Sequence, residues 1–244
     1  MKNLLLGFIL FLFVSCGRDQ PNVGISFGDF IKPNYSTLVS FKYCTLRPSH
    51  SLNSLESFIP SLIERLSKEN ADNVEVFFYF PVRPSQTDIS EFNLVLHHSN
   101  QQFLDKTNDA LKALQFSNIA DCQLEQESKN FSKLKSDTFA TTETLVETMT
   151  CDYFQNYNFA TLNLVFEQLI SALADVSIGL ELHYLETASP KQTFQWRTVF
   201  PSAEDRASFL EDWRLLQVSS EMQDLLAEQA TCGESELFKS YKII

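Results

Sequence analysis

The side chains best able to do chemistry here are Glu181, His183 and Arg197. In the stretch Ile178–Leu185 the parity Ile178, Leu180, Leu182, Tyr184 is apolar, so the opposite face of a strand carries Gly179, Glu181 and His183. If the next strand, Phe194–Phe200, pairs in register, Gln195 and Arg197 join that face. A carboxylate, an imidazole and a guanidinium on one surface can move a proton, with His183 as the transferring group. The same three can also satisfy one another, with Glu181–Arg197 as a cross-strand ion pair. His97 and His98 are adjacent, so a strand sends one imidazole to each side and the two cannot chelate one metal; His50 falls in a loop. Trp196 and Trp213 read as core aromatics rather than a cofactor stack. The chain contains no GxSxG, HExxH, P-loop or dinucleotide fingerprint, and the expectation is no cofactor and no metal.

The cysteines carry the second pattern. Thr37-Leu38-Val39 leads to Cys44 and Thr144-Leu145-Val146 leads to Cys151, four residues intervening each time. Each opens a segment that closes near another cysteine, Cys122 and Cys232. Of the five cysteines, setting Cys16 aside leaves four, which allow three pairings; the repeat selects Cys44–Cys122 and Cys151–Cys232. The rival is a zinc site, which the absence of any CxxC or close Cys/His group disfavours.

Charge and leader bound the setting. A net charge of −12 argues against nucleic acid, whose phosphates demand a positive footprint. Lys2 is followed by the apolar run Leu4–Val14, too short to span a membrane and suited to an export signal. Phe13-Val14-Ser15-Cys16 resembles the lipobox of bacterial lipoproteins, which implies cleavage before a lipid-modified Cys16. Phe13 departs from the usual Leu, and Gly17 after the cysteine implies sorting to the outer membrane. The expected partner is therefore the membrane, through that lipid, and the expected location the cell envelope, facing periplasm or surface, with secretion as the alternative. Asn34-Tyr35-Ser36 and Asn130-Phe131-Ser132 also fit glycosylation sequons of a secreted product.

Elements follow from periodicity. After a signal peptide at 1–15 and a tether at 16–34, in which Phe27, Phe30 and Ile31 are candidates for docking, the first unit covers 35–132. It reads as a strand at Thr37–Cys44, a helix through Leu55, Phe58, Leu62 and Leu66 that Pro60 should kink or start later, strands at Val74–Phe80 and Phe92–His98, a helix capped by Ser99, and a short strand near Cys122–Leu124. A linker at 133–142 leads to a second unit, 143–244, with Leu162, Val165, Leu169 and Leu173 on its first helix and a helix after Ser202 burying Phe209, Leu210, Trp213 and Leu216. The order β-α-β-β-α-β is ferredoxin-like and sets first and last strands side by side, which brings each cysteine pair together. Both parities of Val74–Phe80 are largely apolar, so the sheet needs cover on both faces.

The expected fold class is α+β: two tandem ferredoxin-like βαββαβ units packed sheet to sheet as a pseudo-dimeric α+β barrel. This resembles the dimeric α+β barrel superfamily, particularly antibiotic-biosynthesis-monooxygenase-like domains, most closely over Trp196–Glu204 and the Phe209–Trp213 helix. Members of that family that oxidise quinol-like substrates without cofactor, or degrade haem, use Asn, Trp and His in the cavity; no such set is matched residue by residue. The favoured expectation is thus a non-catalytic, lipid-anchored envelope protein that binds a ligand, a small apolar one being possible, or a partner. The alternative is a cofactor-independent monooxygenase-like or isomerase-like enzyme working between the sheets with His183, Glu181 and Arg197. A cavity plugged by the first unit's phenylalanines favours the former.

Overall fold

The computed structural model describes residues 36–68, 74–83, 89–134, 143–173, 179–187 and 193–244. In chain order these form β1 (Ser36–Leu46), α1 (Leu52–Lys68), β2 (Val74–Pro81), β3 (Glu91–His98), α2 (Gln101–Ala113), a 3-10 turn at Phe116–Asn118, β4 (Ala120–Leu134) and β5 (Glu143–Tyr153). There follow α3 (Phe159–Leu173), β6 (Glu181–Thr187), β7 (Thr193–Phe200), α4 (Ala203–Leu215), α5 (Gln217–Ala227), β8 (Ala230–Cys232) and β9 (Glu236–Lys242). Mixed α+β is the fold class. Among the described residues no helix is long and apolar enough to cross a membrane. The leader, Cys16, the tether and Phe27, Phe30 and Ile31 lie outside the described residues.

Among the described residues all nine strands belong to one antiparallel sheet, ordered β7-β6-β4-β1-β3-β2-β9-β5-β8; β5 also pairs back to β7, which closes an eight-stranded barrel with the short β8 added beside β5. This corrects the expectation of two sheets stacked face to face. The free edge of β2 pairs with β9, from Phe77↔Lys242 to Pro81↔Phe238. The free edge of β6 pairs with β4, from Ser128↔Thr187 onward. Stacked open sheets would leave those edges unpaired, whereas closure satisfies their backbone groups. Closure also explains β4, which runs to Leu134 rather than ending near Leu124. Its first part pairs only with β1, and from Ser128 it serves β1 and β6 together. In the second half the same work is divided: β8 pairs with β5 beside the cysteines, and β9, which sequence periodicity did not reveal, bridges β5 and β2.

Three apolar clusters hold the fold. Outside the barrel, Leu55, Phe58, Leu62 and Leu66 of α1 pack on Val76, Phe78, Leu94 and Leu96. Leu162, Val165, Phe166 and Leu169 of α3 pack on Leu182, Tyr184 and Phe194. The third cluster, Val39, Phe41, Tyr79, Val95, Val146, Leu185 and Phe238, fills the barrel interior. Both parities of β2 are apolar because one meets helices and the other meets the opposite wall of the barrel.

Local details differ from expectation in instructive ways. Asn100, not Ser99, caps α2, its side chain accepting from the Phe103 N–H. Pro60 sits within α1, which runs uninterrupted from Leu52 to Lys68. Ser202 does cap α4, accepting from the Asp205 N–H, but α4 fully buries none of its side chains, and Leu215 is 81% exposed. Both disulfides are present, Cys44–Cys122 and Cys151–Cys232, each joining directly paired residues of neighbouring strands.

Candidate functional site

Glu181, His183 and Arg197 do meet. Period-two alternation on β6 turns Glu181 and His183 into the barrel, and the register His183↔Arg197 brings the guanidinium beside them. His183 Nε2 lies 3.1 Å from Glu181 Oε2. Arg197 is only 1% exposed. Its Nη1 donates to His97 Nε2 at 3.3 Å, and its guanidinium lies over the rings of Phe41 (4.7 Å) and Tyr79 (5.6 Å). The cross-strand Glu181–Arg197 ion pair is not among the described contacts: each residue has taken a histidine instead.

Burial, then the nearby charge of Arg197, pulls His97 well below the ordinary histidine value, so it stays neutral and can accept from the guanidinium. Its Nδ1 faces Glu75 Oε2 at 3.7 Å, and Glu75 Oε1 accepts from Lys242 Nζ at 2.6 Å. His98 turns to the other side of the strand, its Nδ1 on the Asn100 carbonyl at 3.0 Å. Phe41, Tyr79 and the rest of the inner cluster occupy the space around these groups. The interior is therefore a packed polar knot, and neither described cavity is lined by Glu181, His183 or Arg197.

One cavity, about 330 Å³, is a groove at the β1–β4–β6 end of the barrel, lined by Leu38 and Val39 as well as by His98, Lys129 and Glu186. The other, about 350 Å³, lies between the outer face of β5–β6–β7 and the helices α3, α4 and α5. Leu169 and Leu173 of α3, Phe209 and Trp213 of α4 and Met222 of α5 line it on the helix side. The sheet contributes Met149, Leu182, Trp196 and Thr198, with Glu147 at its edge. Such a volume is at the lower end of the range for small-molecule sites. The cavity exists because α4 sits on the sheet without inserting a side chain fully into the core.

Polar groups here are few and fixed. Arg206 of α4 donates from Nε and Nη2 to the two Glu147 oxygens at 2.9 and 3.0 Å, a bidentate pair that fastens the helix to β5. Burial alone would raise the Glu147 carboxyl, but hydrogen bonds from Arg206 and Ser235 and the guanidinium charge outweigh it and hold it below the ordinary value. Trp196 Nε1 donates to Thr198 Oγ1 at 3.0 Å. Trp213 stacks on Phe209 at 6.0 Å.

Both tryptophans pack, partly buried, against the outer core cluster as the sequence reading expects, and both also line this cavity. That reading overlooked Glu147, although a signal was present: Leu145, Met149 and Cys151 share its parity, so a lone carboxylate points at the helix layer.

No protein-family model matches the chain, and no relative was found among curated proteins. Among solved structures it is similar to a candidate monooxygenase from Fusobacterium nucleatum, at 8% identity and a TM-score of 0.55 over 86% of this chain and 94% of that one. It is similar to a candidate chlorite dismutase, TA0507, at 12% identity and a TM-score of 0.52 over 86% and 96%. It is also similar to a dye-decolorizing peroxidase from Bacteroides thetaiotaomicron, at 8% identity and a TM-score of 0.51 over 87% and 94%.

These likenesses correct two expectations. The neighbours are ferredoxin-like barrels of the chlorite dismutase and peroxidase type rather than tandem antibiotic-biosynthesis-monooxygenase domains, and no family model supports a lipoprotein signal at Cys16. The second correction falls on the non-catalytic, lipid-anchored binding protein, since the neighbours are named a monooxygenase, a chlorite dismutase and a peroxidase. At these identities the likeness is one of architecture: the chain has the closed-barrel α+β fold of these proteins.

Proposed function

We propose that the protein is an enzyme that oxidises a small apolar molecule in the cavity between α3–α5 and the outer face of β5–β7. The observation that carries this is the cavity's lining: apolar walls containing both tryptophans of the chain, with a single carboxylate at the edge. The likeness to a candidate monooxygenase supports the reaction class. The site lies outside the barrel, so Glu181, His183 and Arg197 act as its structural interior.

Haem is the cofactor that the chlorite dismutase and peroxidase types imply, and the lining does not fit it. Haem iron takes His, Cys, Tyr or a Met/His pair as axial ligands. This cavity has only the thioethers of Met149 and Met222, while His97 and His183 point into the barrel and His98 lies elsewhere. No lysine or arginine lines it to receive propionates.

The residues themselves can hold an electron-rich ring against Trp196 and Trp213, exclude water with the leucines of α3, and accept a hydrogen bond from a ring hydroxyl at Glu147. A hydroxyl so engaged gives up electron density more readily, and the substrate supplies the electrons that dioxygen takes. The two disulfides support work in an oxidising compartment, the periplasm or outside the cell.

The test is oxygen uptake by the purified protein with naphthalene-diol and anthrone-type substrates, with Trp196→Leu compared against wild type. Uptake above the protein-free rate that falls in the variant supports the reading. Equal rates with and without protein across such substrates refute it.

A further inference from the structure

Resting on the reading of this cavity as the ligand site, the geometry points to a charge rule for its occupant: we infer that it takes a neutral or cationic ring that presents a hydrogen-bond donor to Glu147, and rejects anionic rings. Among the described residues the polar lining, besides the two indole N–H groups, consists of Glu147, Thr198 and Gln223, with no cationic side chain among them. Arg206, the nearby cation, is already spent: its Nε and Nη2 both donate to Glu147, and it does not line the cavity.

Two bonds from Arg206 and one from Ser235 occupy three of the about four acceptor positions that an ionised carboxylate offers. The lone pair left over accepts and cannot donate, so the ligand must bring the proton. Thr198 Oγ1 already accepts from Trp196 Nε1, which leaves its O–H for a ligand acceptor. A carboxylate or phosphate entering this space would lose hydration, find no cation among the described lining residues, and face Glu147 across an apolar cavity. Arg206 is the positioning residue in this scheme. By gripping both oxygens it fixes, with Ser235, the direction in which the remaining lone pair faces.

Both tryptophans of the chain line the cavity, so intrinsic fluorescence reports its occupancy without a label. The probes are four rings of one size: 2-naphthol (donor), 2-naphthylmethylamine (cation), 2-methoxynaphthalene (no donor) and 2-naphthoate (anion), with affinities taken by calorimetry and checked by quenching. The first two bind at least about tenfold more tightly than the last two, the ratio a hydrogen bond to a charged group supports. In the paired variant Glu147→Gln with Arg206→Gln, which leaves neither partner charged, the naphthylmethylamine loses about tenfold and naphthoate gains. Circular dichroism confirms that this variant folds, and if it does not, the four wild-type affinities decide alone. Four affinities within twofold of one another, or naphthoate the tightest, overturn the charge rule while leaving the ligand site standing. Failure of all four to bind or quench overturns the ligand-site reading itself, and the charge rule with it.

Discussion

Removing the disulfides one at a time tests whether this barrel is one cooperative body. Cys44–Cys122 and Cys151–Cys232 close loops of 78 and 81 residues. In the loop-entropy treatment the loss on cutting a cross-link grows with the logarithm of loop length, giving about 4.5 kcal/mol for each bond and a difference between them below about 0.1 kcal/mol. For a chain of this size, about 2–4 °C of melting temperature accompanies each kcal/mol, so each loss lowers Tm by about 9–18 °C. The substitutions are Cys44→Ala with Cys122→Ala, and Cys151→Ala with Cys232→Ala, since Cys44 and Cys151 are buried.

The more discriminating feature is the number of transitions. Two units stacked by their faces would melt separately, each variant moving only its own step. Here β2–β9 and β4–β6 carry backbone pairing across the two halves, so both variants should shift one shared transition. The assay is differential scanning calorimetry with parallel urea titrations on the oxidised proteins. Two resolved transitions in the wild type, with only one displaced by each variant, would refute the closed-sheet account. A single transition shifted strongly by one pair and hardly by the other would refute the loop-entropy account of magnitude.

Stability should also fall in mild acid. His97 has a folded pKa depressed by burial and by Arg197, so its contribution is fully present above the unfolded value of about 6.5 and is lost as pH falls from there toward the folded value. Denaturant titrations between pH 8 and pH 5 should show this slope flattened in His97→Gln, and an unchanged slope would count against it. Arg206→Gln should cost about 1–3 kcal/mol, because it leaves the half-buried Glu147 carboxylate without its charge-assisted bonds. Urea midpoints measure this, and a loss below about 0.5 kcal/mol would show that the pair behaves as an exposed one. Amide exchange should be faster in α4 than in α3, since α4 fully buries no side chain while Leu162, Val165, Phe166 and Leu169 of α3 are core. Mass spectrometry of the two segments decides, and equal protection would disprove the reasoning.

Much of the architecture was legible as local pattern. Alternation in Ile178–Leu185 and Phe194–Phe200 foretold that Glu181, His183 and Arg197 share a face, and β6 and β7 pair with His183 opposite Arg197. The repeated Thr-Leu-Val spacing selected the disulfide pairing that the strand order then required. These are short-range properties: side-chain direction repeats every two residues whatever lies across the sheet.

What covers a face is not a local property. The apolar inner parity of β2 demanded a partner, but a second sheet and the far wall of the same sheet satisfy that demand equally, and only the edge pairings β2–β9 and β4–β6 choose between them. The same ignorance hid the cavity. Phe209 and Trp213 have the spacing of core residues, and nothing along the chain shows that α4 rides above the sheet, held by Arg206 on Glu147 from a strand 59 positions earlier. Residue order set which way each side chain points; the closing of the barrel and the seating of α4 decided what each one meets, because those contacts join residues far apart in the chain.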